Sequence, residues 1–395
     1  MIKICNKADC CGCGACAQAC PKSCISLKQD NEGFLYPIVN ENLCIDCKLC
    51  EKVCPVLHPY EARVPIHSYA AINLDEQIRM ESSSGGVFTF LAEQVIKDGG
   101  VVFGARYDEN WQVVLDYTET LEGLASFRGS KYLQARTADT YSQCSHFLKE
   151  GRKVLFSGTP CQITGLRHFL RRDFDNLLVV DFVCHGVSSP KVWEKYLQEI
   201  AGIDNVKNVS MRDKSREGWK RFNFVLNYKR GNNVVTLSTW HKENDFMKAF
   251  LCNMILRPSC YECKAKECRS HSDITIGDFW RIRKVCPHMN DDKGTSLVLV
   301  HTQKGMSYLS VDTLQKEEVS FEDCVRSNRT INVSARPWPR REEFFAGIDT
   351  AESIIDHMRL FLKPTRMMIL KKCALSVKKL PKKIFYKLIK LSNGR

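Results

Sequence analysis

The N-terminal part of the fold is decided by the stretch CCGCGACAQACP at residues 10–21. Its regularly spaced cysteines are Cys10, Cys13, Cys16 and Cys20. The same spacing, C-x2-C-x2-C-x3-C followed by proline, returns in CIDCKLCEKVCP at residues 44–55. The cysteines there are Cys44, Cys47, Cys50 and Cys54. This doubled spacing is typical of a bacterial ferredoxin-like domain with two 4Fe-4S clusters, and we predict such a domain at residues 1–57.

The fourth cysteine of each run is predicted to bind the other run's cluster. Three thiolates two residues apart can surround one corner of a cubane, whereas the fourth lies on a following helical turn that points elsewhere. The ligands predicted for cluster I are Cys10, Cys13, Cys16 and Cys54. The ligands predicted for cluster II are Cys44, Cys47, Cys50 and Cys20. Structural zinc is the alternative, but zinc sites normally use pairs of CxxC rather than two four-cysteine runs.

The other glycines and cysteines of this region also allow predictions. Gly12 and Gly14 are expected to let the backbone approach the cluster sulfides closely. Cys5, Cys11 and Cys24 fall outside the spacing and are not expected to be ligands.

The number and position of the cysteines indicate in which cellular compartment the protein is located. The chain has 395 residues and 21 cysteines, of which eleven precede residue 55. We find neither a signal peptide at the N-terminus nor a run of apolar residues long enough to cross a membrane. In a reducing cytoplasm, cysteines at this density predict metal ligation rather than disulfide bonds. We therefore expect a cytoplasmic protein.

The net charge of +13 is concentrated in a basic tail, residues 357–395, which contains twelve Lys and Arg residues and no acidic residue. The rest of the chain is nearly neutral, so no nucleic-acid-binding body is expected. Apolar residues recur in the tail at helical spacing. Such a basic amphipathic helix predicts contact with an anionic membrane surface or a partner protein. A solvated helix packed on its own domain is the other interpretation, and the sequence leaves both open.

Beyond a linker at residues 57–66, apolar runs alternate with helical patterns. Strands are predicted at residues 101–105, 154–156, 177–183, 274–276 and 297–300, and helices at residues 87–96 and 190–200. Residues 204–245 look strand-rich. We predict an α+β protein in which the ferredoxin-like domain precedes a mixed α/β body with two parts, residues 67–150 and 151–335.

The body carries a second group of cysteines. Cys260 and Cys263 form a CxxC pair that Cys268 follows, a spacing that leaves zinc and iron–sulfur ligation equally open. Cys161 and Cys184 each follow a predicted strand, where ligands gather in open α/β sheets. A thiol nucleophile at Cys161 with His185 as its base is a further alternative.

Two loops have the composition of phosphate-binding loops. Ser82-Ser83-Ser84-Gly85-Gly86 precedes a predicted helix, whose N-terminal N–H groups suit an anion. Gly129-Ser130-Lys131-Tyr132 adds a hydroxyl and a cation. A helix cap and a surface turn are the alternative interpretations. No G-x-G-x-x-G follows a strand, so the dinucleotide fingerprint of Rossmann folds is absent from the sequence.

Taken together, these motifs resemble the family of coenzyme F-420 hydrogenase/dehydrogenase beta subunits. The resemblance covers residues 67–335 and rests on six ordered motifs, Ser84-Gly85-Gly86-Val87-Phe88-Thr89, Gly129-Ser130-Lys131-Tyr132, Gly158-Thr159-Pro160-Cys161-Gln162, Cys184-His185-Gly186, Cys260-x-x-Cys263 and Ser272-Asp273-Ile274. It implies a non-covalent FAD and a third 4Fe-4S cluster in the body, with the ligands Cys161, Cys184, Cys260 and Cys263. Replacement of one ligand by Cys268 stays open. The implied FAD-binding residues are Ser83, Ser84, Gly85, Gly86, Gly129, Ser130, Lys131, Gly158 and Thr159.

The resemblance also implies a function, that of an FAD and iron–sulfur oxidoreductase. A small two-electron donor or substrate, either a deazaflavin coenzyme or another organic molecule, would exchange hydride with the flavin. Single electrons would then pass to the body cluster and on to clusters II and I, or flow in reverse. Lys131 would stabilise an anionic reduced flavin, and His185 would donate a proton. A redox partner protein or a ferredoxin would complete the path. The alternatives are a non-catalytic electron-transfer subunit that relays electrons to a partner enzyme and a zinc-bound interaction protein.

Overall fold

The computed structural model describes residues 1–364. The ferredoxin-like part holds two short helices, α1 (Ala15–Gln18) and α2 (Leu49–Lys52), each of which follows a cysteine loop. Strands β1 (Ile25–Gln29) and β2 (Leu35–Val39) pair antiparallel between them. Each helix begins after a residue in the left-handed conformation, Gly14 or Lys48. The loop before each helix is therefore curled, as a wrapping loop of ligands requires.

The body is built on one eight-stranded mixed sheet. Its strands are β3 (His67–Asn73), β4 (Val101–Tyr107), β5 (Val113–Thr118), β6 (Val154–Gly158), β7 (Leu177–Phe182), β11 (Ile274–Asp278), β12 (Ser296–Val300) and β13 (Leu314–Glu318). Their order across the sheet is β13-β3-β12-β11-β7-β6-β4-β5. The central run β4-β6-β7-β11 is parallel, and the other pairs are antiparallel. The central strands are continuous apolar runs because helices cover both faces of the parallel part.

Helices and a smaller sheet surround this core. The helices of the body are α3 (Glu76–Glu81), α4 (Val87–Lys97), α5 (Thr140–Lys149), α6 (Pro160–Leu170), α7 (Pro190–Ala201), α8 (Asp245–Leu251), α9 (Ile282–Val285), α10 (Gln303–Ser307), α11 (Phe321–Ser327), α12 (Arg341–Ala346) and α13 (Ile354–Leu362). Strands β8 (Val206–Asp213), β9 (Asn223–Arg230) and β10 (Asn233–Trp240) form an antiparallel sheet in the order β10-β9-β8. No helix within residues 1–364 is long and apolar enough to cross a membrane.

The predicted strands and helices of the body are confirmed in type and place, and the strand-rich region at residues 204–245 is the three-stranded sheet. The linker at residues 57–66 contains neither a helix nor a strand. Tyr60 fixes it to the body by stacking between His168 and His271, at centroid distances of 4.6 and 4.0 Å. The first residues of the predicted basic tail belong to α13, where Met358 is buried. The rest of the predicted tail lies outside the described residues.

One hydrophobic core joins the ferredoxin-like part to the body. Cys13, Phe34 and Val53 are buried in the same cluster of side chains as Phe156 and Leu256. At its edge Glu32 and Arg341 form a paired ion bridge, in which Nη1 donates to Oε1 at 3.1 Å and Nη2 donates to Oε2. Their side chains are only 12% and 9% exposed. The two parts are thus held together by apolar packing and by a nearly buried salt bridge.

Removing one partner of this bridge should weaken the docking strongly. We expect Arg341→Met to lower the free energy of unfolding by about 3–5 kcal/mol, because it leaves the Glu32 carboxylate buried without a counter-charge. The control is Lys153→Met, which breaks an exposed bridge to Asp98 and should cost less than about 1 kcal/mol. The measurement is urea unfolding of the full chain. Equal losses in the two variants would contradict a stabilising role of the buried bridge.

Candidate cofactor sites

A cavity of about 580 Å³ lies beside the two loops predicted to bind FAD, and we call it the flavin cavity after that prediction. It lies at the carboxyl ends of the parallel strands, where Ala105 of β4, Gly158 of β6, Phe182 of β7 and Gly277 of β11 line it. Open α/β sheets bind ligands at this edge. The volume lies within the range of small-molecule and cofactor sites.

Two of the predicted loops form one wall of the flavin cavity. Ser83 and Ser84, together with Gly86, line it from one loop, and Gly129, Ser130 and Lys131 line it from the other. The loops are braced to each other, because the Ser83 Oγ accepts hydrogen bonds from the Ser130 N–H at 2.7 Å and from its Oγ at 2.9 Å. Helix α4 begins at this wall after Gly86, which has a φ of +82° and provides no side-chain cap. The first N–H groups of α4 are therefore available to an anion.

Gly85 is placed differently from the other predicted binding residues. It does not line the flavin cavity. A Cβ at this position would lie 2.4 Å from the Ala71 carbonyl oxygen and 2.7 Å from the Ser296 nitrogen. Gly85 therefore lets the loop pack directly against strands β3 and β12. The packing explains the glycine at this position, and a role of Gly85 in cofactor binding stays a prediction.

Arg212 contributes the clearest unsatisfied polar group in the flavin cavity. Its side chain is 4% exposed, and its Nη1 donates to the Asp278 Oδ2 at 2.5 Å. Its Nε and Nη2 have no partner among the described residues. A buried guanidinium with open donors is costly unless an acceptor occupies the cavity. This arginine, with the N-terminus of α4, fits a ligand that carries phosphate or other anionic groups.

Lys131 and His185, the two predicted reactive residues, both line the flavin cavity. The Lys131 Nζ donates to the carbonyl oxygens of Arg128 and Gly129, at 2.9 and 3.3 Å, and burial lowers the pKa of Lys131 to about 7. The His185 Nε2 lies 2.6 Å from the Asn253 Oδ1, and burial lowers the pKa of His185 below its usual 6.5. Burial therefore disfavours the charged form of His185, and the ring is held against Asn253. The prediction that it donates a proton stays a prediction.

The four body cysteines line a second cavity, which we call the body-cluster cavity. They are Cys161, Cys184, Cys260 and Cys263. Cys161 lies in the first turn of α6, which begins with a capping box between Thr159 and Gln162. Cys184 follows β7, and the CxxC pair lies at residues 260–263. Segments that are distant in sequence thus bring four thiols to one place.

The chemistry of these thiols suits a metal centre. Burial is the main cause that raises the pKa of Cys184, Cys260 and Cys263, and the neighbouring thiols add to it. Buried thiols that raise each other's pKa become thiolates readily when a metal supplies positive charge. Within residues 1–364, no three His, Cys, Asp or Glu side chains converge closely enough to hold a single metal ion. The four body cysteines line one common cavity.

Cys268 does not join this group. It is buried in another side-chain cluster, with Phe279 and Cys286, and does not line the body-cluster cavity. Cys11 is the unexpected member. It lines the cavity, and its thiol contacts that of Cys161.

The ferredoxin-like part contains two more cavities that match the predicted exchange of ligands. Cavity I is lined by Cys10, Cys13, Cys16 and Cys54. Cavity II is lined by Cys20, Cys44, Cys47 and Cys50. Gly12 and Gly14 have φ values of +71° and +76°, and a Cβ on either would collide with the body, at Gln134 or Thr137. These glycines therefore let the cysteine loop approach the body, which the sequence analysis did not anticipate.

Three of the four cavities form a series in which neighbours share walls, whereas cavity II has no lining residue in common with cavity I. Thr159, Cys184 and His185 line both the flavin cavity and the body-cluster cavity. Cys11 and Pro55 line both the body-cluster cavity and cavity I. Cavity I, not cavity II, is next to the body. The predicted order, in which cluster II comes before cluster I, is therefore wrong, because the loop at residues 10–14 is the one that docks on the body.

Sequence reasoning missed several residues at the mouth of the flavin cavity. Trp280 and Phe182 line it and remain 38% and 40% exposed. Trp280 stacks on Trp219 at a centroid distance of 4.7 Å. The local sequence feature that could have indicated this part of the site is Gly277-Asp278-Phe279-Trp280, at the end of β11. In the structure, Asp278 accepts a hydrogen bond from Arg212, and Trp280 lies at the mouth of the cavity. Nothing in the sequence links this signal to Arg212.

Two cysteine variants test the body-cluster cavity. We expect Cys263→Ser to lose about four irons per chain, because one thiolate ligand of a 4Fe-4S cluster is removed. Cys268→Ser is the matched control, also buried and five residues further on, and should keep its iron. Iron and acid-labile sulfide are counted in anaerobically purified protein. Unchanged iron in Cys263→Ser, or the same loss in Cys268→Ser, would contradict the ligand set.

Two family models match parts of this chain. Residues 9–57 match the family model of a 4Fe-4S dicluster domain. Residues 151–324 match the family model for the C terminus of "Coenzyme F420 hydrogenase/dehydrogenase, beta subunit". The second match includes all four body cysteines.

Curated relatives and a solved structure are similar over parts of the chain. Coenzyme F420-dependent sulfite reductase of Methanocaldococcus jannaschii is 25% identical over 342 residues, which cover 82% of this chain and 49% of the relative. One subunit of the F(420)H(2) dehydrogenase of Methanosarcina mazei is 22% identical over 213 residues, 51% of this chain and 60% of the relative. The chain thus spans about half the length of one curated relative and three fifths of the other. A chain of the F420-reducing [NiFe] hydrogenase complex from Methanosarcina barkeri aligns with a TM-score of 0.48 and 18% identity, and covers 68% of this chain and 90% of that one.

Proposed function

Because this chain combines a 4Fe-4S dicluster domain with a domain of the coenzyme F420 hydrogenase/dehydrogenase beta subunits, we propose that it is a flavin- and iron–sulfur-dependent oxidoreductase. It moves electrons between a small two-electron donor or acceptor and its own 4Fe-4S clusters. The observation that carries this proposal is the series of three cavities with shared walls, which runs from the flavin cavity through the body-cluster cavity to cavity I. Such a series suits a protein whose task is to hold redox groups next to one another.

The three cysteine-lined cavities would each hold one 4Fe-4S cluster. The donor set supports this, since each cavity is lined by its four predicted ligand thiols and by one further cysteine, Cys11 or Cys24. The body-cluster cavity also receives the Thr159 hydroxyl, 3.2 Å from the Cys161 Sγ. Hydrogen bonds to ligand sulfur and burial are among the features that set a cluster's potential.

The flavin cavity would hold FAD. A bound flavin would supply the exchange of a hydride for two single electrons. Arg212 and the N-terminus of α4 would bind its anionic groups, and the loop at residues 128–131 would close one side. Cys184 and His185 form the wall shared with the body-cluster cavity, so the ring system would have its shortest route to the cluster there.

The two-electron partner would enter at the aromatic mouth. Phe182, Leu251 and Trp280 line the cavity and are 40%, 42% and 38% exposed. Flat aromatic surfaces beside a cavity suit a planar heteroaromatic molecule. Both curated relatives carry coenzyme F420 in their names, so we propose a deazaflavin coenzyme first and another planar organic molecule second. A redox protein would exchange electrons at cavity II, where Cys47 is exposed.

A non-catalytic relay subunit is the second candidate. It is favoured by the name of one relative, which is a subunit of a dehydrogenase. The purified full chain with its cofactors decides between the two candidates. Turnover of a reduced deazaflavin with a viologen acceptor supports the enzyme. Full cofactor content without turnover supports the relay subunit, and a preparation without flavin would sink the proposed function.

The pKa of Lys131 gives a test of the flavin cavity by pH. Burial lowers the pKa of Lys131 to about 7, so its ammonium is charged at pH 6 and neutral at pH 9. An anionic ligand favours the charged form. The affinity for FAD should therefore fall by up to about tenfold per pH unit above pH 7. In Lys131→Met, the affinity should be weaker at pH 6 and nearly independent of pH.

Lys214 is the internal control for this experiment. Burial also lowers its pKa to about 7, but its Nζ donates to the Ser84 carbonyl oxygen and it does not line the flavin cavity. FAD affinity is measured by flavin fluorescence quenching from pH 6 to 9. A pH dependence that survives in Lys131→Met and disappears in Lys214→Met would contradict the role of Lys131.

A further inference from the structure

Arg257 is a fully buried arginine at the junction of the two parts of the chain. Its exposed fraction is 0%. Its Nε donates to the Cys10 carbonyl oxygen at 2.8 Å, and its Nη2 donates to the Leu35 carbonyl oxygen at 2.9 Å. The guanidinium lies over the Tyr36 ring at 4.1 Å. An arginine of the body thus reaches into the first cysteine loop of the ferredoxin-like part.

This guanidinium has no carboxylate partner among residues 1–364. Its Nη1 has no hydrogen-bond partner there. The nearby acidic residues of the ferredoxin-like part are already paired, Glu32 with Arg341 and Asp30 with Lys7. Arginine stays protonated in proteins, and an uncompensated buried charge costs several kcal/mol. The position therefore requires a source of negative charge that the side chains near it do not supply.

The groups that surround Arg257 are the cysteines of two different cavities. A Cβ on Gly12 would lie 3.0 Å from the Arg257 Nη1, which places the free nitrogen against the loop that lines cavity I. On the body side, the Arg257 carbonyl oxygen accepts from the Cys260 N–H at 2.9 Å. Its charge acts on the thiols of Cys161 and Cys260, both of the body-cluster cavity. Arg257 thus lies between cavity I and the body-cluster cavity.

From this geometry we infer that Arg257 is the residue that sets the reduction potentials of cluster I and the body cluster together, as their shared buried counter-charge. The inference rests on the proposed function, because it assumes that clusters occupy both cavities. A 4Fe-4S cluster with four thiolates is net negative and gains another negative charge on reduction, so a fixed positive charge beside it favours the reduced form. One guanidinium between two clusters raises both potentials. Cluster II, whose cavity has no contact with Arg257, is left unaffected.

The test compares two substitutions in the full chain. Arg257→Gln removes the charge and keeps hydrogen-bond donors, whereas Arg257→Lys keeps the charge and removes the planar fork. The midpoint potential of each cluster is measured by anaerobic redox titration followed by electron paramagnetic resonance. We expect Arg257→Gln to lower the potentials of cluster I and the body cluster and to leave that of cluster II unchanged. Arg257→Lys should stay close to the unmodified chain. Lys7→Gln, which removes an exposed positive charge from the same part of the chain, should shift none of the three.

Each outcome has a defined meaning. Unchanged potentials in Arg257→Gln at full iron content overturn the inference, as does an equal shift of all three clusters. If Arg257→Gln loses iron and Arg257→Lys keeps it, the counter-charge role is supported. If both variants lose iron equally, the hydrogen-bonding geometry of the guanidinium is required rather than its charge, and the inference is overturned. An unmodified chain that lacks the body cluster would sink the proposed function instead, and the Arg257 effect on cluster I could still be measured.

Discussion

The arrangement depends on the docking of one cysteine loop, residues 10–14, onto helix α6 and the segments of the body that carry Gln134, Thr137 and Arg257. Close packing makes this contact tight. A Cβ on Gly165 of α6 would lie 3.0 Å from the Cys13 Sγ, and Gly12 leaves room for Arg257 and Gln134. Small residues on both sides let backbones and thiols approach where larger side chains would separate them. Because of this contact, cavity I and the body-cluster cavity share Cys11 and Pro55 instead of lying on separate surfaces.

The fold of the body determines where the flavin cavity and the body-cluster cavity lie. Parallel strands β4, β6, β7 and β11 direct their carboxyl ends to one edge, and the loops that follow them supply the walls of the flavin cavity and two of the body cysteines. Burial gives these groups their chemistry. It raises the pKa of the thiols, lowers the pKa of Lys131 to about 7, and leaves Arg212 with open donors. Burying these ionisable groups without partners costs free energy, and a bound charged cofactor would remove that cost. Cofactor binding should therefore stabilise the folded chain.

The sequence predicts those features of the site whose residues lie close together along the chain. The ligand sets of clusters I and II come from spacing within runs of twelve residues, and the structure groups the same cysteines around cavities I and II. The body set needed the family resemblance, because Cys161 and Cys260 are distant in sequence. Arg212, Trp280 and Arg257 were missed, since each acts only through contacts with remote segments. The pattern of residues 82–86 does not distinguish a glycine that faces a ligand from one that packs on neighbouring strands, as Gly85 does. The order of the clusters was wrong for the same reason, since spacing does not indicate which loop docks.

We propose that the three cysteine-lined cavities hold three clusters and that the flavin cavity holds one FAD. The measurement that tests it most directly is the content of iron, acid-labile sulfide and flavin per full chain, purified under strict exclusion of oxygen. The account predicts about twelve irons, twelve sulfides and one FAD. About eight irons with no flavin would leave the ferredoxin-like part intact and contradict the claim for the body.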